Sequence, residues 1–108
     1  MNKVSIAILL SFVLFLNVAV LFGADAEAGK VLYTKKCKVC HGADGTPTAA
    51  LVKANPSMMA FSSAKFQAMK DAEIKVKITG LPKHKVVSKG LTDAEIANAI
   101  AFLRTLKK

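Results

Sequence analysis

The 108-residue sequence contains no tryptophan, one tyrosine, three prolines and two cysteines. Cys37 and Cys40 lie too close together for a disulfide to close a useful loop, so a disulfide-stapled scaffold is excluded. Acidic residues are scarce: 7 Asp and Glu stand against 16 Lys and Arg, for a formal charge of +9. The length leaves room for one domain of ordinary size, which excludes a multidomain enzyme. No internal repeat and no low-complexity segment is found after residue 24.

Apolar residues make up 53% of the chain, but they are unevenly spread. Val4 to Phe22 is almost entirely apolar, and the remainder is Lys-rich. The apolar run follows Met1-Asn2-Lys3 and precedes Gly23-Ala24-Asp25-Ala26, where Ala24 and Ala26 put small residues at the two positions a signal peptidase reads. Residues 1–24 are therefore expected to be a secretory signal peptide, removed after Ala24 or Ala26. Either cut leaves a domain over 25–108, of 84 or 82 residues. The alternative is an uncleaved anchor, since the run is long enough to span a bilayer at ~1.5 Å per residue. Both readings place the domain outside the cytoplasm, in the periplasm or tethered to the outer face of the inner membrane.

So small a domain buries a thin core and usually needs a staple such as a disulfide, a metal or a cofactor, and with Cys37 and Cys40 so close together a staple other than a disulfide is expected. The fold class expected is all-α. Thr92-Asp93-Ala94-Glu95 is a capping box, followed by Ile96, Ala99, Ile100 and Leu103 at helical spacing. A first helix is expected from near Asp25 through Leu32 and Tyr33 toward Cys37, acidic early and basic late. Asp71-Ala72-Glu73 starts a middle helix, although Ile74-Lys75-Val76-Lys77-Ile78 alternates as a strand would. A lone strand would have no partner. Turn residues cluster over Gly42–Pro47 and Gly80–Gly90.

The chemistry lies in Cys37-Lys38-Val39-Cys40-His41. Two thiols three apart lie on one face of a helical turn, so each can add to one vinyl group of the same porphyrin, and the adjacent His41 can bring a nitrogen to the iron. A thioredoxin-like pair would need a βαβ pattern, and a zinc site would need two further soft ligands. A structural disulfide would leave His41 unexplained. The pentapeptide is read as a covalent haem attachment site.

From Ala28 to Lys107 the chain resembles a small class I monohaem cytochrome c of the bacterial periplasmic type. The resemblance is carried by Gly29-Lys30-Val31-Leu32-Tyr33, by Cys37-Lys38-Val39-Cys40-His41-Gly42-Ala43-Asp44-Gly45, and by Leu91-Thr92-Asp93-Ala94-Glu95-Ile96 with Ala101-Phe102-Leu103-Arg104. It implies a cytochrome c fold of three or more helices around one haem c, with Cys37 and Cys40 as covalent attachment points and His41 as proximal iron ligand. It also implies a close crossing of the first and last helices, with Gly29 meeting Phe102, and a proline carbonyl orienting His41. Pro56 is the best match for that role, and Pro47 the other.

The departure from the family concerns the distal ligand. Leu81 stands in the apparent place of the usual Met before Pro82, and leucine cannot bind iron. His84, the only histidine besides His41, is the expected replacement. Its alternative is a solvated loop position between two lysines. Met58 and Met59 are the rival ligands, with core packing beside Phe61 as their other reading. Met69, expected on the middle helix, is a more distant candidate. An open sixth position would make the protein a haem enzyme or a gas or redox sensor; two strong ligands would make it a single-electron carrier and not an enzyme.

Loss of Lys3 with the leader lowers the charge to +8. No aromatic interleaving supports nucleic-acid stacking, so nucleic acid is not expected as a partner. Lysines around an exposed haem edge suit redox partner proteins with acidic docking surfaces. A monomer is expected.

Overall fold

The computed structural model describes residues 23–108, and among these the chain forms seven helices and no strand. Residues 1–22, which make up most of the expected signal peptide over 1–24, lie outside the described residues. The helices are α1 (Ala26–Lys36), α2 (Lys38–His41), α3 (Ala49–Ala54), α4 (Ala64–Gln67), α5 (Asp71–Gly80), α6 (Pro82–Ser88) and α7 (Asp93–Thr105).

Local chemistry explains where they begin. The Asp25 carboxylate accepts from the Glu27 and Ala28 amides at 2.9 and 3.2 Å, serving orphan donors of α1. Thr92 Oγ1 accepts from the Glu95 amide at 3.1 Å at the head of α7. Thr48 and Ser63 cap α3 and α4 in the same way. In α5 the alternating stretch is helical: Ile74 is buried and Ile78, one turn on, is half-buried against the core, while Val76 is 68% exposed. The period of 3.6 prevails because the core offers one stripe and no second strand.

The core is a cluster of Tyr33, Phe66, Ile74, Ile96, Ile100, Phe102 and Leu103. It forms where α1 crosses α7, and Gly29 permits that crossing. A Cβ at Gly29 would overlap the Asn98 carbonyl oxygen and come within 3.0 Å of the Ala99 nitrogen. Gly29 thus meets the backbone of α7 at the expected crossing, one turn before Phe102. Phe102 packs on Tyr33, with ring centroids 5.1 Å apart. The crossing is tied at its end by the Asp25 amide, which donates to Asn98 Oδ1 at 2.8 Å.

The middle of the chain is fastened to α7 by Arg104. Its guanidinium donates to the Gln67 carbonyl at 3.1 Å, the Met69 carbonyl at 2.6 Å and the Asp71 carboxylate at 2.6 Å. Gln67 completes the joint by donating to the carbonyls of Phe61 and Leu103. Met69 therefore lies in the connection before α5 and not on it. The second turn-rich segment also differs from expectation. Pro82 breaks α5 from its successor and, at the first position of α6, starts a two-turn helix, since its missing N–H costs nothing there.

Candidate functional site

Cys37, Cys40 and His41 share one helical turn. The Cys37 carbonyl accepts from the Cys40 and His41 amides at 3.2 and 3.0 Å, so the three side chains lie at i, i+3 and i+4 of the same face. Both thiols are free. Cys37 packs against the core, and burial pushes its thiol up in pKa; the charge of Lys36 opposes this and Cys40 adds to it. Cys40 is exposed.

The turn ends at Gly42, whose φ of 82° belongs to the left-handed region that favours glycine. That geometry turns the Gly42 carbonyl toward α1, where the Tyr33 hydroxyl donates to it at 2.6 Å. Burial, reinforced by the nearby Cys37 and Asp44, pushes the Tyr33 phenol up to about 12.

His41 is half-buried and stacks on Phe61, with centroids 4.7 Å apart and planes 29° apart. Phe61 in turn packs on Phe66 and Tyr33, so the imidazole is joined to the core through one aromatic ring. Burial lowers the His41 pKa, and the charge of His84 lowers it further. Both effects favour the neutral ring that metal binding requires. Its Nδ1 is buried and has no hydrogen-bond partner. Neither Pro56 nor Pro47 bonds it, which corrects the expected proline carbonyl. Pro56 instead lines a cavity with Met58, Met59, Met69 and Lys77.

His84 stands opposite, on α6. The two imidazole centroids are 6.0 Å apart and the rings are tilted by 45°. Two metal–nitrogen bonds of ~2 Å, with ~1 Å from each nitrogen to its ring centre, put two imidazoles on a single metal ~6 Å apart. His84 Nδ1 lies 2.7 Å from the Lys77 carbonyl oxygen, which leaves Nε2 as the nitrogen with a free lone pair. Leu81 is 45% exposed and offers no donor atom.

Met58 and Met59 line the cavity of about 430 Å³ beneath α5, together with Met69, and Met59 and Met69 also pack against the core. Apolar, polarisable side chains of this kind suit the face of a porphyrin. The donor set of two free thiols, an imidazole with an unsatisfied nitrogen and a second imidazole whose ring centre is 6.0 Å away fits a covalently held haem.

Three features were not anticipated from the sequence. These are the Phe61 ring on His41, the Lys77 carbonyl at His84, and a bond from Lys83 Nζ to Asn55 Oδ1 at 2.7 Å. Phe61 had a weak signal, as an aromatic next to Met58-Met59-Ala60. A backbone acceptor leaves no trace in a sequence.

The helical fold and this turn define a haem-attachment protein. The cytochrome c family model matches residues 26–107, and the chain belongs to the cytochrome c family. The family binds a covalently attached haem c and carries out haem-based electron transfer with redox partner proteins. No curated protein and no solved structure matches the chain.

Proposed function

We propose that the protein is an exported monomeric carrier of single electrons, working in the periplasm or at the outer face of the inner membrane, and not an enzyme. When bound, the haem supplies a one-electron ferrous–ferric couple. Cys37 and Cys40 anchor it through thioethers, His41 is the proximal ligand, and His84 is the distal ligand in place of a methionine. The observation that carries this reading is the 6.0 Å separation of the His41 and His84 rings, which leaves two imidazoles for one iron. Two histidines holding the iron would leave no position for a substrate, which weighs against the enzyme or sensor reading.

Around the paired histidines the surface suits brief docking. Val39 is 86% exposed and Val86 is 84% exposed, each two residues from one histidine. Every lysine from Lys30 to Lys108 is exposed, and among the described residues only Lys75 has a carboxylate partner. Unpaired surface lysines flanking small apolar contacts favour an acidic partner and a fast, weak encounter.

The test is haem retention through acid–organic extraction. Haem is expected to stay with the wild-type chain and to be released from the Cys37→Ala, Cys40→Ala double variant. Extraction of haem from the wild type would overturn the attachment.

A further inference from the structure

The distal imidazole carries two restraints that owe nothing to a metal. A carbonyl oxygen only accepts, so the 2.7 Å contact between His84 Nδ1 and the Lys77 oxygen places the ring proton on Nδ1. Lys77 is in the last turn of α5, where carbonyls lack helical partners and form the negative end of the helix dipole. Its one other donor, the Leu81 amide, is distant at 3.4 Å, because Pro82 has already turned the chain into α6. The carbonyl is thus free for the imidazole. The second restraint acts one residue earlier: Lys83 Nζ donates to Asn55 Oδ1 at 2.7 Å, and Asn55 is itself held by a bond from its Nδ2 to the Leu51 carbonyl at 3.2 Å. This ties the first turn of α6 to the end of α3.

We propose that the Lys77 carbonyl and the Lys83–Asn55 bond are positioning elements that hold His84 with Nε2 facing the iron and fix its tautomer, so that the distal ligand is set by the protein before it is set by the metal. The inference rests on His84 being the second iron ligand. A hydrogen-bonded Nδ1–H makes Nε2 a stronger donor, as outer partners of metal-bound histidines do. The pinned turn keeps the ring close whenever the iron–nitrogen bond opens, and rebinding by His84 then competes well against outside ligands.

The haem-loaded full chain, reduced to its ferrous form and labelled with ¹⁵N in histidine and ¹³C in the lysine carbonyls, reports both restraints by NMR. The expected result is a His84 Nδ1–H protected from solvent exchange, with a scalar coupling across the hydrogen bond to the Lys77 carbonyl carbon. A solvent-exchanging Nδ1–H without coupling, on a ring that still shows the haem ring-current shift, overturns the inference while leaving His84 as ligand. A His84 ring with no such shift overturns the ligand assignment as well. For the pin, the rate at which carbon monoxide captures ferrous iron is expected to rise roughly 2- to 10-fold in Lys83→Met and in Asn55→Leu, the weight of one hydrogen bond. Lys83→Arg keeps a donor and is expected to retain most of the protection. Lys75→Met, which removes the surface pair with Asp93, is the control and leaves the rate unchanged. Wild-type rates in both Lys83→Met and Asn55→Leu would overturn the pin.

Discussion

Tyr33 donates its phenol proton to the Gly42 carbonyl across 2.6 Å, which fastens the first helix to the residue directly after His41. The phenol is 2% exposed and packed between Phe102 and Phe61. Ionising it would place a charge in the core beside a carbonyl that cannot donate.

Alkaline stability is the first prediction. The Tyr33 pKa is raised from 10.0 to about 12 in the folded chain, so the protonated phenol is favoured by folding. Its contribution is fully present below pH 10 and is lost as the pH rises toward 12. Denaturant melts of the haem-loaded protein are expected to show stability falling across that window, in step with tyrosinate absorbance from this single tyrosine. Tyr33→Phe is expected to cost about 1–3 kcal/mol at neutral pH, through the unsatisfied Gly42 carbonyl, and to flatten the alkaline slope. An unchanged slope would remove Tyr33 as its source.

The second prediction concerns the helix crossing. Gly29→Ala puts a methyl into the Asn98 carbonyl, where backbone and not a flexible side chain must yield. The expected loss is about 3 kcal/mol or more, above the usual cost of overpacking. Glycine at this position is needed for close approach alone, so Gly80→Ala, with open space around its Cβ and no positive φ, is the neutral comparison. Equal melting curves for the two variants would refute the crossing geometry.

Replacing His84 by alanine gives the third. The ferric spectrum is expected to change from low spin to high spin, or to acquire the far-red sulfur-to-iron band if Met58 or Met59 captures the iron, in which case the potential rises. If His84→Ala leaves spectrum and potential alone while Met58→Ala or Met59→Ala moves both, the distal ligand is a thioether.

Ionic strength supplies the fourth. Electron-transfer rate constants with an acidic partner are expected to fall steeply as salt is raised, because the Debye length shrinks from ~30 Å at 0.01 M to ~10 Å at 0.1 M. A flat profile would mean that the exposed lysines do not steer the encounter.

The three main helices were legible because each announces itself locally. Asp25 and Thr92 are caps, and Ile96, Ala99, Ile100 and Leu103 mark a stripe whose members are all buried in the structure. The attachment turn was legible because its chemistry demands adjacent residues. What escaped was non-local or main-chain in character. Gly29 marks the crossing point, but that its nearest neighbour there is the Asn98 carbonyl depends on the rotation of α7. The small helices α3 and α4 have caps in Thr48 and Ser63, yet stretches of six and four residues carry too little periodicity to stand out. Pro56 was matched to His41 by position in the chain, and its placement in the methionine-lined cavity follows from tertiary packing that no spacing records.

The bond from the Asp25 amide to Asn98 joins positions 73 apart, at the crossing where the fold closes. Bringing such distant segments together is entropically expensive, and it comes only after the last helix exists. The thiols at 37 and 40, by contrast, are among the earliest of the described residues in chain order. Until α7 docks, they sit on a nascent chain whose first helix has no partner. The attachment turn thus precedes in the chain the helix that closes the fold, so its three residues are in place before α1 has anything to cross. A chain halted before Asn98 would retain every residue assigned to the iron and the thioethers, and yet have no means of shutting around them.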